Sequence, residues 1–379
     1  MQLVTDDSAL RDVCAQLGLH TVLAVDTEFL RERTYYAQLG LIQIASEDLA
    51  CAIDPLALNN LDPLKDLMFN PAITKVMHAG SQDMEIFYDL WGELPAPVQD
   101  TQLMGALLGL GEQISYSNLI HSILDVQLEK DQTRTDWTQR PLTNKQIDYA
   151  IHDVYYLIRA YPVLQQRLSD LGRANWLDED FAALSDNARY EVDADNAWKR
   201  VKGIQKLSGP KLAIVKVIAR WREQEAISRN KPRRHILSDE AIVALAQMAP
   251  VSVNQLQSRR EFSDHIIKRL GHRLIELAEE GRALPESAWP VLNKKQRLSP
   301  NQEAITDALA AIVKVCANRD SISVNSLCSR KSLEKLVRGD RDLMVLQGWR
   351  KASCGHYLLE FIEGTSSITV MDEKLTLEV

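Results

Sequence analysis

The sequence predicts an α/β domain in its first half and an all-helical second half, and three observations carry that expectation. Short apolar runs at 22–25, 39–45, 50–54 and 73–77 alternate with helical periodicity at 83–91 and 144–168, as in strands connected by crossover helices. From Gly209-Pro210 onward the strand-like runs stop. Helical stripes take their place, first Leu212, Val215, Ala219 and Trp221, then Ile242, Leu245 and Ala246. Between the halves, residues 173–207 are polar, with the acidic stretches Asp178-Glu179-Asp180 and Glu191-Val192-Asp193-Ala194-Asp195, and read as a linker that is partly helical.

Five side chains in the α/β region fit one chemistry. Asp26 and Glu28 follow the buried-strand run Val22-Leu23-Ala24-Val25, and residues two apart on a strand share a face. Asp83 follows the strand-like Ile73-Thr74-Lys75-Val76-Met77 and the turn-like His78-Ala79-Gly80-Ser81, where it caps or begins an amphipathic helix. Tyr149 and Asp153, four apart in a helical stretch, share a helix face. Singly, these residues have plain structural readings as strand-end charges, an N-cap and a core aromatic. An acidic chain also contains Asp-x-Glu triplets by chance, and Asp83-Met84-Glu85 is a second one. The order and context of all five point instead to metal-dependent hydrolysis. Phosphodiester cleavage needs an activated water and charge neutralisation at the leaving oxygen, and oxygen-only ligands favour Mg2+ or Mn2+.

Asp26-Thr27-Glu28-Phe29, His78-Ala79-Gly80-Ser81-Gln82-Asp83 and Tyr149-x-x-x-Asp153 resemble the three motifs of the DEDD 3′-to-5′ exonucleases, and the tyrosine marks the y subclass. In the histidine subclass a His lies five positions before the last Asp. Here that position is Asp148, while His152 is adjacent to Asp153 and points elsewhere on a helix, as a structural residue does. Arg33-Thr34-Tyr35-Tyr36-Ala37-Gln38-Leu39-Gly40-Leu41-Ile42-Gln43 and Arg134-Thr135-Asp136-Trp137-x-x-Arg140-Pro141-Leu142 are similar to the ribonuclease D family. Tyr35, Tyr36 and Trp137 either pack in a core or stack a substrate nucleotide. Residues 211–281 resemble an HRDC domain, through Leu212 to Trp221-Arg222, Ile236-Leu237-Ser238-Asp239 and Met248-Ala249-Pro250. Residues 301–363 repeat that pattern loosely.

The resemblance implies a ribonuclease H-like exonuclease domain at 1–172, a linker at 173–207, a first HRDC domain at 208–288 and a second HRDC-like domain at 296–370. It implies two divalent ions per site, with Asp26 bridging both. Glu28 and Asp153 complete the nucleophile-side site, Asp83 holds the other ion largely through water, and Tyr149 orients the attacking water. The implied activity is release of 5′-mononucleotides from RNA 3′ ends, with precursor transfer RNA as substrate. Two alternatives stand beside it: a DNA 3′ exonuclease with the same motifs, and a non-catalytic RNA-binding scaffold. The presence of every motif carboxylate argues against the scaffold.

With 379 residues, 45% of them hydrophobic, the chain is long enough for two or three domains. Its net charge of −8 conceals an asymmetry: residues 1–195 hold 13 Lys+Arg against 31 Asp+Glu, and residues 196–379 hold 31 against 21. A basic second half either meets a polyanion or is a solvated helical surface. Its clusters are Lys199, Arg200, Lys202, Lys206 and Lys211, then Arg229, Lys231, Arg233 and Arg234. The first residues carry no basic flank before an apolar segment, and nowhere do 18 apolar residues run together, so neither secretion nor a membrane span is expected. Cysteines 14, 51, 316, 328 and 354 form no C-x-x-C pair, which fits a reducing cytoplasm. No obligate protein partner is indicated.

Overall fold

The computed structural model describes residues 2–128, 135–292 and 297–378. Arg134, in a motif quoted above, lies outside them, as do Met1 and Gln296, the outer limits of two expected domains. The chain forms two compact units. Unit 1 holds Met1–Phe29, Leu39–Arg189 and Gln296–Val379, and unit 2 holds Leu30–Gln38 and Tyr190–Lys295.

Unit 1 is built on a six-stranded sheet of order β1-β4-β3-β2-β5-β6. The strands are β1 (Gln2–Val4), β2 (Val22–Leu30), β3 (Gln38–Ala45), β4 (Ala50–Ile53), β5 (Thr74–Met77) and β6 (Val98–Asp100). The helices connecting and covering them are α1 (Asp7–Leu17), α2 (Asp62–Met68), α3 (Ser81–Trp91), α4 (Thr101–Leu107), α5 (Tyr116–Leu124) and α6 (Asn144–Asp170). β1 with β4, β2 with β5 and β5 with β6 are parallel, and β3 with β4 is antiparallel. β2 and β5 read as apolar runs because interior strands of such a sheet are covered on both faces, and Leu23, Ala24, Val25 and Val76 are fully buried. β2 continues to Leu30 instead of stopping at Val25. Asp26 and Glu28 therefore sit inside the strand, where the two-residue alternation strictly applies.

Three local devices place the site-bearing segments. Buried Lys75 donates to the carbonyls of Asn70, Ile73 and Ala96 at 3.1, 2.7 and 2.8 Å, three acceptors for the three protons of an ammonium. Burial pushes this lysine down to about 8, so it stays charged at neutral pH. α6 opens with a capping box, Thr143 exchanging hydrogen bonds with Gln146. Ahead of it, Arg140 grips buried Asp54 with Nε and Nη2 at 2.6 and 2.7 Å, and reaches the carbonyls of Gly40, Trp137 and Gln139. A Cβ at Gly40 would lie 2.6 Å from the Trp137 oxygen, so only glycine admits this approach.

Unit 2 is organised around the helix Pro210–Ser228, buried on nearly every side against the helices Asp239–Met248 and Asp264–Ala283. Gly281 permits the closest of these approaches, since a Cβ there would stand 2.5 Å from Ile214 Cα. Its buried polar pair finds partners within the unit, although Arg222 Nε has none. Arg222 donates to Leu237 O and to Asp239 at 3.0 and 2.7 Å, and Glu223 accepts from Arg233 at 2.5 and 2.7 Å and from the Tyr35 hydroxyl. Tyr35 is thus a core residue of unit 2, with Asn230 Oδ1 accepting from its amide and that of Tyr36 at 3.0 and 3.1 Å.

The polar stretch 173–207 holds short helical segments, with Leu177, Phe181 and Leu184 buried in unit 1 while Ala197, Trp198, Val201, Ile204 and Leu207 join the unit 2 core. One expectation changes, since the second half is not all helical: β7 (Ser367–Met371) and β8 (Lys374–Glu378) form an antiparallel hairpin. Alternation in Ser-Ile-Thr-Val-Met and Lys-Leu-Thr-Leu-Glu suits strands. Asp372 and Glu373 between them both take positive φ, 50° and 62°, as a two-residue hairpin turn requires. The region 297–378 belongs to unit 1, where Arg350 pairs with Asp180 at 3.0 Å and Trp349 stacks on Trp176 at 4.9 Å.

Replacing Arg140 with Met leaves Asp54 charged and buried without its partner, so unfolding in urea should show a loss of about 3 kcal/mol. An unchanged midpoint would show that Arg140 contributes nothing to stability.

Candidate active site

The three segments expected to carry the site converge in unit 1. Asp26 and Glu28 lie on one face of β2, Asp83 stands in the first turn of α3, and Tyr149 and Asp153 share one face of α6. Their proximity shows in their mutual electrostatics. Burial, then the charges of Asp83, Asp153 and Glu28, push the Asp26 carboxyl far above the usual range. Burial with Asp153 and Asp83 pushes Glu28 up to about 8. Asp153 is pushed up to about 7 by burial, and Asp83 to about 6, again by burial, with the Thr27 hydroxyl opposing the rise. None of these leading influences is a lysine or arginine. Burial raises the Tyr149 phenol, followed by the charges of Asp153, Glu28 and Asp26.

Asp83 is buried, 7% exposed, and is held by a hydrogen bond. Thr27 donates its hydroxyl to Asp83 Oδ1 at 2.5 Å. The turn that launches α3 is fixed from β6: Asp100 accepts from the amides of Ala79 and Gly80 at 3.0 Å each and from Gln102 at 2.8 Å. Ala79 there takes φ 55°, a strained value that these bonds sustain. A Cβ on Gly80 would lie 2.7 Å from that of Met77. His78 is structural, with Nε2 donating to Ile114 O and Nδ1 3.0 Å from Thr101 Oγ1.

Tyr149 packs beside Trp137, centroids 6.3 Å apart, and Trp137 is 3% exposed. With Tyr35 in the unit 2 core, burial commits Trp137 and Tyr35 to packing and not to nucleotide stacking. His152 faces the rings of Tyr155 and Tyr156 at 6.5 and 5.5 Å. Sequence reasoning gave no role to Thr27, Asp100 or Tyr116. Asp100 could have been found, since Asp before Thr101 after an apolar strand reads as an N-cap. Thr27 and Tyr116 act through tertiary contacts that leave no local signal.

Four carboxylates raised by burial, two of them also by the charges of the others, form an oxygen-only donor set of the kind that suits a hard divalent cation, whose charge would relieve their repulsion. Among the described residues no group of three or more His, Cys, Asp or Glu side chains is arranged as it stands to hold a metal ion. The fit therefore rests on donor chemistry and charge.

Comparison with known proteins bears on this geometry. A family model described as 3′-5′ exonuclease matches residues 1–169, and one described as HRDC domain matches residues 211–277. Ribonuclease D of Sphingobium indicum is 37% identical over 378 residues, covering 98% of this chain and 97% of that one. Ribonuclease D of Bartonella henselae is 35% identical, covering 99% and 93%. The crystal structure of Escherichia coli RNase D, described as an exoribonuclease involved in structured RNA processing, matches with a TM-score of 0.86 at 30% identity, covering 96% of this chain and 98% of that one.

In chelator the raised carboxyls couple stability to pH. Folded carboxyls hold protons that the unfolded chain releases near pH 4, so their stabilising contribution is present below about pH 4 and is lost as pH rises through about 6 to 8. Asp26→Asn removes one of the crowded charges. Its melting temperature in chelator should match the parent near pH 4.5 and exceed it by about 2–4 °C near pH 8; a lower value at pH 8 would refute the repulsion.

Proposed function

The chain belongs to the ribonuclease D family and is a 3′-to-5′ exoribonuclease, and on that premise we propose that it releases 5′-mononucleotides one at a time from RNA 3′ ends, with precursor transfer RNA and other structured RNAs as substrates. We assign Asp26, Glu28, Asp83 and Asp153 as ligands of two divalent cations, Mg2+ or Mn2+, and Tyr149 as the group that orients the attacking water. The observation that carries this reading is the convergence of four mutually repelling carboxylates and one phenol from β2, α3 and α6. The description of the E. coli relative supports a structured substrate.

The family is generally dependent on divalent metal; bound here, the cations would neutralise charge at the scissile phosphate and lower the pKa of a coordinated water. Asp26 and Glu28 have their backbone positions fixed by the strand, so their carboxylates leave the same face of β2. Asp83 is presented by the turn that Asp100 braces, and Asp153 by the rigid middle of α6. Tyr149, with its phenol held protonated by burial and neighbouring charge, donates or accepts a hydrogen bond to position the water and does not act as a base near neutral pH.

Unit 2 supports phosphate binding by charge. It holds 22 Lys+Arg against 14 Asp+Glu, and residues 296–379 hold 11 of each, so the positive excess of the second half resides entirely in unit 2. Lys199, Arg200, Lys202, Lys206, Lys211 and Lys231 are exposed. Arg233 and Arg229, by contrast, are engaged with Glu223 and Glu225 at 2.5 Å each.

We assign the first HRDC domain to 208–288, and 296–370 to a second, looser copy. Support for the copy is a shared order of elements: a long helix, a short one, a Ser-capped helix, a 3-10 turn and a closing helix. Leu237 and Cys328, at the equivalent junctions, both have φ −158°. A cytoplasmic location accords with five free, buried cysteines. Among the described residues no helix is long and apolar enough to cross a membrane.

Single-turnover digestion of matched RNA and DNA oligonucleotides tests the activity. RNA should be shortened from its 3′ end. Chelator or Asp153→Asn should abolish cleavage, and Tyr149→Phe should slow it about 10²-fold with near-normal stability. A Tyr149→Phe protein within about threefold of the parent would reduce Tyr149 to a packing residue.

Changing Lys199, Lys202 and Lys206 together to Gln should flatten the dependence of log affinity on log salt by roughly 0.7 for each phosphate that the protein no longer neutralises. An identical slope would show that this surface is merely solvated.

A further inference from the structure

Tyr116 opens α5, outside all three motifs, yet it touches two of them. Its hydroxyl donates to the carbonyl of His152 at 3.0 Å, the residue immediately before Asp153 in α6. By helix geometry that carbonyl already faces the amide four residues on, so the phenol is a second donor on its remaining lone pair. On the other side, the Tyr116 ring meets the His78 ring edge-on, centroids 5.7 Å apart at 63°. Two residues earlier, the Ile114 carbonyl accepts from His78 Nε2 at 3.0 Å and from Gln102 Nε2 at 3.1 Å. His78 begins the turn that leads into Asp83, the turn whose amides Asp100 holds. Residues 114–116 therefore form a clamp with one jaw on the segment carrying Asp83 and the other on the helical turn carrying Asp153. α6 also packs directly on β5, the strand that leads into the Asp83 turn, and the clamp is a second tie between these two segments at the level of the carboxylates.

We propose that Tyr116 is a positioning residue for hydrolysis: through His152 and His78 it sets the spacing between the Asp83 and Asp153 carboxylates, and with it the affinity of the acidic site for its cations. The inference rests on the assignment of those carboxylates as metal ligands. Tyr116 contributes no proton and no ligand to the reaction. The ring does the packing against His78, and the hydroxyl holds α6.

The test uses the full chain and reads Mn2+ binding directly, from the loss of the free-ion signal in electron paramagnetic resonance, alongside single-turnover cleavage of RNA. Tyr116→Phe keeps the ring and deletes only the bond to His152. It should weaken Mn2+ binding about fivefold, the equivalent of one net hydrogen bond, and most of its rate deficit should be recovered by raising Mn2+. Tyr161→Phe is the control. It deletes another tyrosine hydroxyl of unit 1, one that donates to Gln99 at 2.7 Å and accepts from Gln165, and it should lower the melting temperature without moving the Mn2+ midpoint. Parental Mn2+ affinity in Tyr116→Phe overturns the proposal, as does an equal loss of affinity in both variants, which would signal general loosening. A parent protein that binds no Mn2+ and leaves RNA intact overturns the ligand assignment itself.

Discussion

Negative charge held against its own repulsion is the constraint on which the rest of unit 1 depends. Burial raises the carboxyls of Asp26, Glu28, Asp83 and Asp153, and the charges of Asp83 and Asp153 add to the rise at Asp26 and Glu28; left free they would swing apart or bind protons. The surroundings answer with backbone rigidity and not with counter-charge. A central strand fixes the first pair, a braced turn the third, and the middle of a 27-residue helix the fourth. Arg140 and Lys75, basic groups with structural tasks in this sheet, direct their protons to Asp54 and to carbonyls. They therefore compete with no cation for the site carboxylates.

That division of labour explains what the sequence disclosed and what it withheld. Spacings of two on a strand and four on a helix are local, so the pairing of Asp26 with Glu28 and of Tyr149 with Asp153 was legible. The union of the pairs with Asp83 rested on the order and context of the motifs and on resemblance, because nothing local says which strand end meets which helix. The fold class was likewise readable from periodicity. The strand boundaries were not, since β2 runs on through charged residues that belong to its function. Short β1 and β6 have only three residues each and leave no periodic trace.

Residues that position other residues were the hardest to see. Thr27 acts across 56 residues on Asp83 and Tyr116 across 36 on His152, and a hydroxyl in a strand or at a helix start carries no mark of a distant partner. Tyr35, Tyr36 and Trp137 were open between packing and stacking in the sequence, and burial favours packing for Tyr35 and Trp137. The hairpin β7–β8 was readable in principle. Its alternation is plain, but a long helical context masked it.

The chain order of unit 2 has a consequence for how the protein is made. Residues 30–38 belong to it, and Tyr35 meets Glu223 across 188 positions. At about 5–20 residues per second of synthesis, the segment waits roughly 10–40 s after emerging before its core exists. The strand bearing Asp26 and Glu28 thus ends in a loop whose partner is still untranslated, and the early sheet matures with one connection unfinished. Nascent chains should carry that loop without its partner through about half of translation, a late-closing folding step of high contact order that no isolated first half can complete.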